Sequence, residues 1–196
     1  MVIETLLSGD VAPEGASAEA FARRISGLHS ELGVPGDYAE RTGLPLHVEP
    51  AVLANAGCDM FGREQRLTPE ALLAWQCMQS AASKDGIQLL LVSAFRSVGY
   101  QADLVRRKLA SGRSLDDILS VNAAPGFSEH HTGRAIDIAT PDSPPLEVEF
   151  EQTAAYTWLE RNARDFGFLL SYPRHCRSAI SYEPWHWCFQ LDQISD

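Results

Sequence analysis

Residues 127–138 bring together two adjacent histidines, a glycine and a carboxylate. Gly133 predicts a turn, because glycine adopts positive φ angles at little cost. Residues 134–139 alternate in the manner of a strand, which would place two isoleucines on one face and Asp137 on the other. The turn would then bring Asp137 back beside His130. An imidazole next to a carboxylate supplies two of the three ligands of a catalytic zinc site.

A second stretch, residues 182–189, also alternates like a strand, with three aromatic side chains on one face and His186 on the other. The aromatic face predicts packing into a core, which would present His186 rigidly. Pro184 interrupts the strand near its start. Glu183 therefore need not follow the alternation, and we expect it to reach the same pocket as His186 from a different angle.

Together these residues meet the needs of a catalytic zinc site. Such a site has three protein ligands, a position left open for water, and a carboxylate that takes a proton from that water. His130, Asp137 and His186 are the predicted ligands of one zinc ion per chain, and Glu183 is the predicted base. One alternative is a core histidine beside a surface aspartate. Another is Cys188 as a ligand, although thiolate sites are more often structural.

Arg96 follows an apolar run, residues 87–95, which predicts a buried central strand. A charged residue at the end of such a strand is well placed to face a cleft. Its planar guanidinium can bind a carboxylate through two hydrogen bonds. By itself this position favours a structural salt bridge; together with the sequence blocks described next, it leads us to expect that Arg96 binds a carboxylate of the substrate.

Three sequence blocks occur in order between about residues 67 and 189. The first, Ser-x-x-Arg-Ser followed shortly by Gln, lies at Ser93, Arg96, Ser97 and Gln101. The second, Ser-x-His-x-x-Gly-x-Ala-x-Asp, lies at Ser128, His130, Gly133, Ala135 and Asp137. The third, Glu-Pro-Trp-His-Trp, is residues 183–187. In these blocks the chain resembles the VanY-type D-alanyl-D-alanine carboxypeptidases and their L,D-carboxypeptidase relatives. These are zinc peptidases, related to the D-Ala-D-Ala dipeptidases and the Hedgehog N-terminal domain.

The resemblance implies an α+β fold, with a small, mainly antiparallel sheet and flanking helices. It also implies zinc-dependent removal of C-terminal D-alanine, by D,D- or L,D-cleavage, from peptidoglycan stem peptides or their soluble fragments. Two alternatives stay open: an L-alanyl-D-glutamate-type peptidoglycan endopeptidase and a non-catalytic, zinc-stabilised binding module. The implied site residues are His130, Asp137 and His186 for zinc, Glu183 as base, and Arg96, Gln101 and Ser128 for substrate.

The remaining histidines carry weaker signals. His131 stands where relatives often have glutamine, and we expect it to be exposed or to lie just behind the metal ligands. His29 and His47 have no ligand partners at suitable spacing and are predicted to be structural or exposed. His175 is a weaker candidate ligand than His186, because nothing rigid flanks it.

Length and periodicity predict the domain organisation. A chain of 196 residues predicts one domain with a substantial core. Residues 1–66 are expected to form an N-terminal extension packed on it, an arm followed by a helix and loops, and residues 67–196 the zinc carboxypeptidase core. Periodicity and capping residues predict helices over residues 18–32, 69–83, 98–110, 114–121 and 150–165, and a strand over 168–172.

Charge and hydropathy limit the partners. The formal net charge of −10 argues against a nucleic-acid or anionic membrane surface. No stretch approaches the ~20 apolar residues of a membrane span. The start of the sequence as given shows no signal peptide and so predicts a cytoplasmic protein; removal of a leader would make it periplasmic or extracellular. The four cysteines are far apart and are predicted to be unpaired. The sequence makes no prediction of oligomeric state.

Overall fold

The computed structural model describes residues 14–174 and 179–190. Within these ranges the helices are α1 (Glu14–Leu32), α2 (Tyr38–Thr42), α3 (Pro69–Lys84), α4 (Val98–Ala110), α5 (Leu115–Leu119) and α6 (Ala154–Asn162). The strands are β1 (Ala54–Cys58), β2 (Glu64–Leu67), β3 (Leu90–Ser93), β4 (Ala135–Ala139), β5 (Phe168–Leu170) and β6 (His186–Phe189). Three 3-10 turns occupy Glu129–Thr132, Val148–Gln152 and Ala163–Phe166. The α+β class and the small antiparallel sheet are as the resemblance implies.

The main sheet has the strand order β3-β4-β6-β5, and each neighbouring pair is antiparallel. The apolar run predicted as a central strand is therefore an edge strand, and that prediction was wrong. β3 is nevertheless buried, because the β1–β2 hairpin covers its free edge. The Met60 N–H donates to the Leu91 carbonyl (2.8 Å), and the Phe95 N–H donates to the Arg66 carbonyl (3.0 Å). An apolar edge strand is thus shielded from water and from other chains.

Hydroxyl side chains cap the starts of four helices. At the starts of α3, α4, α5 and α6, the side chains of Thr68, Ser97, Ser114 and Thr153 each accept a hydrogen bond from the backbone N–H three residues on. The cap at Thr153 explains why the helix predicted over residues 150–165 is divided. A 3-10 turn precedes the cap, α6 follows it, and a second 3-10 turn completes the segment.

Two hydrophobic cores lie in this fold. The first joins one face of the main sheet to α3 and α6, and its large members include Trp75, Met78, Ile136, Ile138, Phe168, Trp187 and Phe189. The second joins α1 and α2 to α4, α5 and the segment before β4, and its members include Ile25, Leu32, Tyr38, Val98, Val105, Ile118 and Phe127. The N-terminal extension therefore contributes directly to a core. Where its boundary lies stays a prediction.

Other sequence expectations meet mixed outcomes. Residues 34–66, predicted to be loop-rich, also hold α2, β1 and most of β2. Cys58, Cys77 and Cys188 are unpaired, as predicted, whereas His175 and Cys176 lie outside the described residues. In the described part of the chain, no helix is long and apolar enough to cross a membrane.

Candidate metal centre and active-site cleft

The register of the main sheet places Ser93, Asp137 and His186 side by side on β3, β4 and β6. Regular pairing would set Val92 opposite Asp137. The register of β3 shifts between Leu91 and Ser93, so that Ser93 takes this place instead. Such irregularities re-aim side chains, and they are common beside active sites. On β4 the two isoleucines enter the first core, while Asp137 points to the opposite, also buried, side.

His130 reaches Asp137 from the 3-10 turn that precedes β4. That turn ends at Gly133, whose φ of 64° suits glycine. His130 Nδ1 lies 2.7 Å from the carbonyl oxygen of Ala94, which can only accept a hydrogen bond. Nδ1 therefore carries the ring proton. Nε2, which lies 3.2 Å from Asp137 Oδ2, is left with a lone pair for a metal.

His186 approaches the same carboxylate from β6. Its Nδ1 lies 3.0 Å from Asp137 Oδ1, and its Nε2 lies 2.9 Å from Glu129 Oε2. The Ser171 hydroxyl donates to the same Glu129 oxygen at 2.5 Å. The ring is thus held at both nitrogens, with one nitrogen turned toward His130 and Asp137.

These three side chains fit a zinc ion. One ligand atom from each of His130, Asp137 and His186 can be chosen so that all lie within 4.8 Å of one another, and all three residues are buried. Tetrahedral zinc holds nitrogen and oxygen ligands at ~2.0–2.2 Å, which separates the ligands by roughly 3.3–3.6 Å. Asp137 Oδ1 lies 3.0 Å from His186 Nδ1, and Asp137 Oδ2 lies 3.2 Å from His130 Nε2; both distances are close to that spacing.

The protonation of the site follows from its burial and its charges. Burial lowers the pKa of His130, which keeps this ring neutral. Burial alone would raise the pKa of Asp137, but the two histidines beside it outweigh burial and hold that pKa far below its usual range. Burial likewise lowers the pKa of His186, but hydrogen bonds to Asp137 and Glu129 raise it to about 10. Without a metal, His186 is therefore protonated at neutral pH.

Glu183 lies at the end of the segment that leads into β6. The His186 N–H donates to the Glu183 carbonyl (3.1 Å), which closes a turn around Pro184. The turn brings Glu183 Oε2 to 3.9 Å from His186 Nδ1, on the side of the ring that faces Asp137. Burial raises the pKa of Glu183 to about 7. A carboxylate of this kind can both take up and release a proton near neutral pH.

Arg96 lies just beyond β3 and is held from several directions. Its Nη1 donates to Gln101 Oε1 (3.0 Å) and its Nη2 to Ser93 Oγ (3.3 Å), while Asp137 Oδ2 lies 4.0 Å away. Gln101 is fully buried, and its amide nitrogen donates to the Ala123 carbonyl (2.7 Å). Both ends of the Gln101 amide are thus hydrogen-bonded within the protein. From this position Gln101 can contribute to substrate binding only by orienting Arg96.

A cleft of about 530 Å³ opens over these residues. His130, Asp137 and His186 line it, together with Arg96, Ser128 and Glu183. The Ser128 hydroxyl makes no hydrogen bond to any residue in the described ranges, although the residue is buried. The structure therefore brings every predicted site residue except Gln101 to the wall of one cleft.

Three further histidines lie outside the cluster of possible metal ligands found among the described residues. His131 is fully buried, so the expectation of an exposed side chain was wrong; a position just behind the metal ligands stays a prediction. Its Nδ1 donates to the Arg96 carbonyl (2.5 Å), and its Nε2 accepts from the Gly126 N–H (3.0 Å). This neutral ring, whose pKa burial lowers to about 4, ties Arg96 to the loop before the metal motif. His29 bonds to the Pro125 carbonyl, and His47 is half-buried; neither belongs to the metal cluster found among the described residues.

Sequence reasoning missed several residues of the site. Glu129 stands next to His130 in the motif, but no spacing rule links it to His186, 57 residues away. Lys108 and Arg113, on and after α4, line the cleft and carried no signal of their own. Cys188, the rival ligand, lies outside the cluster of possible metal ligands among the described residues.

The N-terminal extension packs against two glycine turns, one just before and one just after the segment that carries His130. A Cβ atom at Gly133 would lie 2.7 Å from Leu53, and one at Gly126 would lie 2.8 Å from Ile25. Both glycines have positive φ angles. These turns therefore require glycine for backbone conformation and for close packing.

The sequence profile of the VanY family, described as D-alanyl-D-alanine carboxypeptidase, matches residues 64–192. The chain belongs to the VanY family. This VanY-family chain is 33% identical over 153 residues to the putative carboxypeptidase YodJ of Bacillus subtilis (strain 168), a match that covers 73% of this chain and 55% of YodJ. The chain spans about half the length of the curated relatives it matches.

Two solved structures extend the comparison of this VanY-family chain. The LdcB LD-carboxypeptidase, described for its peptidoglycan recognition, aligns with a TM-score of 0.66 and 31% identity over 74% of this chain and 71% of that chain. A point mutant of the vancomycin resistance D,D-pentapeptidase VanY, solved in complex with Zn(II), aligns with a TM-score of 0.56 and 25% identity. That match covers 73% of this chain and 83% of the other. The fold is thus that of the VanY and LdcB peptidases.

Proposed function

We propose that this chain is a zinc-dependent carboxypeptidase that removes the C-terminal D-alanine from peptidoglycan stem peptides. One observation carries the proposal. The cluster of His130, Asp137 and His186 shares one cleft with a buried carboxylate, Glu183, and a held arginine, Arg96. This is the set of groups that hydrolysis next to a free carboxylate requires. Family membership and the zinc complex of a VanY relative support it.

His130, Asp137 and His186 would hold one zinc ion per chain. When bound, zinc polarises the scissile carbonyl and lowers the pKa of water at its open position toward ~7. Hydrogen bonds orient both histidines before a metal binds. The Ala94 carbonyl fixes the proton of His130 on Nδ1, and Glu129 bonds to His186 Nε2. Ligands oriented in this way lose little freedom when a metal binds.

Glu183 would act as the base. It lies on the cleft wall beside the ligands, with Oε2 3.9 Å from His186 Nδ1. From there it would take a proton from the attacking water and deliver it to the departing amine nitrogen. A group that does both needs a pKa near the working pH, and burial raises the pKa of Glu183 to about 7.

Arg96 would hold the terminal carboxylate of the substrate, with the Ser128 hydroxyl beside it. Gln101 and Ser93 fix the guanidinium, and its nearest carboxylate, that of Asp137, lies at the ion-pair limit of 4.0 Å. Capacity therefore remains for a two-point interaction with an incoming carboxylate. Because only a chain end offers that group, this contact would select a carboxypeptidase reaction over endopeptidase cleavage.

The test is an assay of D-alanine release from pentapeptide and tetrapeptide stems, run in parallel with zinc-loaded protein. Release from the pentapeptide indicates D,D-cleavage, and release from the tetrapeptide indicates L,D-cleavage. Cleavage between L-alanine and D-glutamate would favour the endopeptidase alternative. Binding of stem peptides without any cleavage would favour the binding-module alternative and contradict the proposal.

A further inference from the structure

Three cationic side chains face the cleft in a chain whose net charge is −10. Arg96 is the first, beside the metal ligands. Lys108, half-buried near the end of α4, is the second, and Arg113, exposed after α4, is the third. The proposed function uses only Arg96. The other two extend positive charge along the cleft wall to a solvent-exposed position.

The partners of Lys108 and Arg113 are neutral. Lys108 Nζ donates to Asn122 Oδ1 (3.1 Å), and Arg113 Nη2 donates to the backbone carbonyl of Asp117 (3.4 Å). Among residues 14–174 and 179–190, no carboxylate forms an ion pair with either of them. Glu147 and Glu183, two carboxylates that line the same cleft, are therefore not paired with Lys108 or Arg113.

The arrangement has an electrostatic cost that an anion would remove. Burial lowers the pKa of Lys108, and the charges of Arg113 and Arg96 lower it further, while Glu183 opposes them. Like charges close enough to disturb one another destabilise a protein unless something compensates them. A carboxylate between Lys108 and Arg113 would do so with charge-assisted hydrogen bonds.

Apolar side chains line the same cleft. Val121, Leu146 and Val148 are each more than two-fifths exposed. Leu146 has a φ of 61°, a conformation that no other non-glycine residue adopts in the described part of the chain. A backbone strained in this way is often found at ligand sites. The cleft thus offers aliphatic contacts as well as charge.

We infer that Lys108 and Arg113 form a second anion subsite, which binds a free carboxylate on a residue that precedes the scissile bond. The inference rests on the proposed function. If Arg96 takes the terminal carboxylate, only one residue follows the cut, so a further anionic group must belong to the preceding residues. An aliphatic stem ending in a carboxylate suits the apolar contacts. Lys108 and Arg113 would then determine specificity.

The experiment compares stem peptides that share a free C-terminal D-alanine. In the parent, the second residue is γ-linked D-glutamate with a free α-carboxylate, and the third is diaminopimelate with a free side-chain carboxylate. In one analogue the D-glutamate carboxylate is amidated; in the other, lysine replaces diaminopimelate. We expect wild type to lose about tenfold in kcat/KM, mainly through KM, with one of the two analogues, in line with loss of one charged hydrogen bond.

The Lys108→Met/Arg113→Gln double variant should lower kcat/KM for the parent by about the same factor and leave the rate on the discriminated analogue unchanged. Arg107→Gln is the matched control. It removes a charge from the same helix, but Arg107 stacks on Tyr100 and does not line the cleft. This control should discriminate as wild type does.

Several outcomes would overturn the inference. One is equal processing of all three peptides by wild type, and another is discrimination by the double variant as strong as that of wild type. A third is loss of the double variant's dependence on the C-terminal carboxylate, which would make the two cations part of the Arg96 contact. If no peptide is cleaved, the proposed function fails. In that case calorimetry compares the binding of the same peptides to zinc-loaded wild type and to the zinc-loaded double variant, which tests the subsite independently of cleavage.

Discussion

The Glu129 carboxylate lies 2.9 Å from His186 Nε2, while Asp137 lies 3.0 Å from Nδ1 of the same ring. One imidazole thus sits between two carboxylates, and Ser171 holds the outer one. Burial alone would raise the pKa of Glu129, but the hydrogen bonds from His186 and Ser171 outweigh burial and lower it to about 2. Glu129 is therefore ionised across the neutral range and can orient His186 there.

The first prediction concerns this orientation. Glu129→Ala should weaken zinc affinity by about 10–100-fold, because supporting groups behind metal ligands typically contribute that much. Glu129→Gln should lose less, since an amide oxygen can still accept the Nε2 proton. Competition with a chelator measures both. Equal affinity in wild type and Glu129→Ala would show that the carboxylate has no part in metal binding.

The second prediction concerns proton release. Because the pKa of His186 is raised to about 10, the ring carries a proton at pH 7 that a metal must displace. At about pH 6, below the ~7 to which zinc lowers the pKa of its bound water, zinc binding should therefore release about one proton, and ionisation of that water should add to this number above pH 7. Calorimetry in buffers of different ionisation enthalpy gives the count. The Glu183→Gln variant is the better sample, because it removes a carboxyl group that itself titrates near pH 7. Zinc binding without proton release would exclude His186 as a ligand.

The third prediction concerns the base. Glu183→Gln should keep zinc and fold but lower kcat by roughly 10²–10⁴, the usual contribution of general-base catalysis. His186→Ala should instead lose the metal, and His175→Ala should keep it. Metal analysis alongside single-turnover kinetics separates these effects. Loss of zinc from Glu183→Gln would make Glu183 a ligand, and undiminished turnover would assign the base to another group.

The fourth prediction concerns Arg96. Arg96→Lys keeps the charge but loses the planar fork, so kcat/KM should fall by about tenfold or more. Amidation of the substrate's C-terminus should then cost wild type far more than it costs the variant. Kinetics with the free acid and the amide test this directly. Equal cleavage of both by wild type would refute the carboxylate contact.

The fifth prediction concerns stability. Asp59 in the β1–β2 hairpin accepts hydrogen bonds from the backbone of Phe61 and Arg63 and from the side chains of Arg63 and Gln65. Burial would raise its pKa, but these bonds outweigh burial and lower it. Asp59→Asn should therefore lower the free energy of unfolding by about 1–3 kcal/mol at pH 7.

A lowered pKa in the folded state means that the Asp59 contribution is present at neutral pH and is lost as the pH falls through that pKa. The difference between wild type and Asp59→Asn should therefore shrink below about pH 4. Urea unfolding at a series of pH values measures it. A difference that stays constant down to pH 2 would mean that the charge of Asp59 is not involved.

Much of the site could be predicted because its chemistry is local in the sequence. Gly133 and the alternation of β4 bring His130 and Asp137 together, and the turn at Pro184 brings Glu183 back toward His186. The rest depends on pairing between distant segments. Hydrophobic periodicity does not reveal the irregular register that sets Ser93 beside Asp137. It also does not reveal the hairpin that covers β3 and gives this edge strand the burial of a central one. The contact between Glu129 and His186 exists only once β4 and β6 have paired.

The two glycine contacts bear on how much of the chain the metal site needs. Leu53 and Ile25, which pack against Gly133 and Gly126, both precede the segment that the VanY profile matches, residues 64–192. A substitution at Ile25 or Leu53 would therefore act on the turns that flank His130. A fragment confined to residues 64–192 would lack both side chains and leave those turns without the packing that the full chain provides.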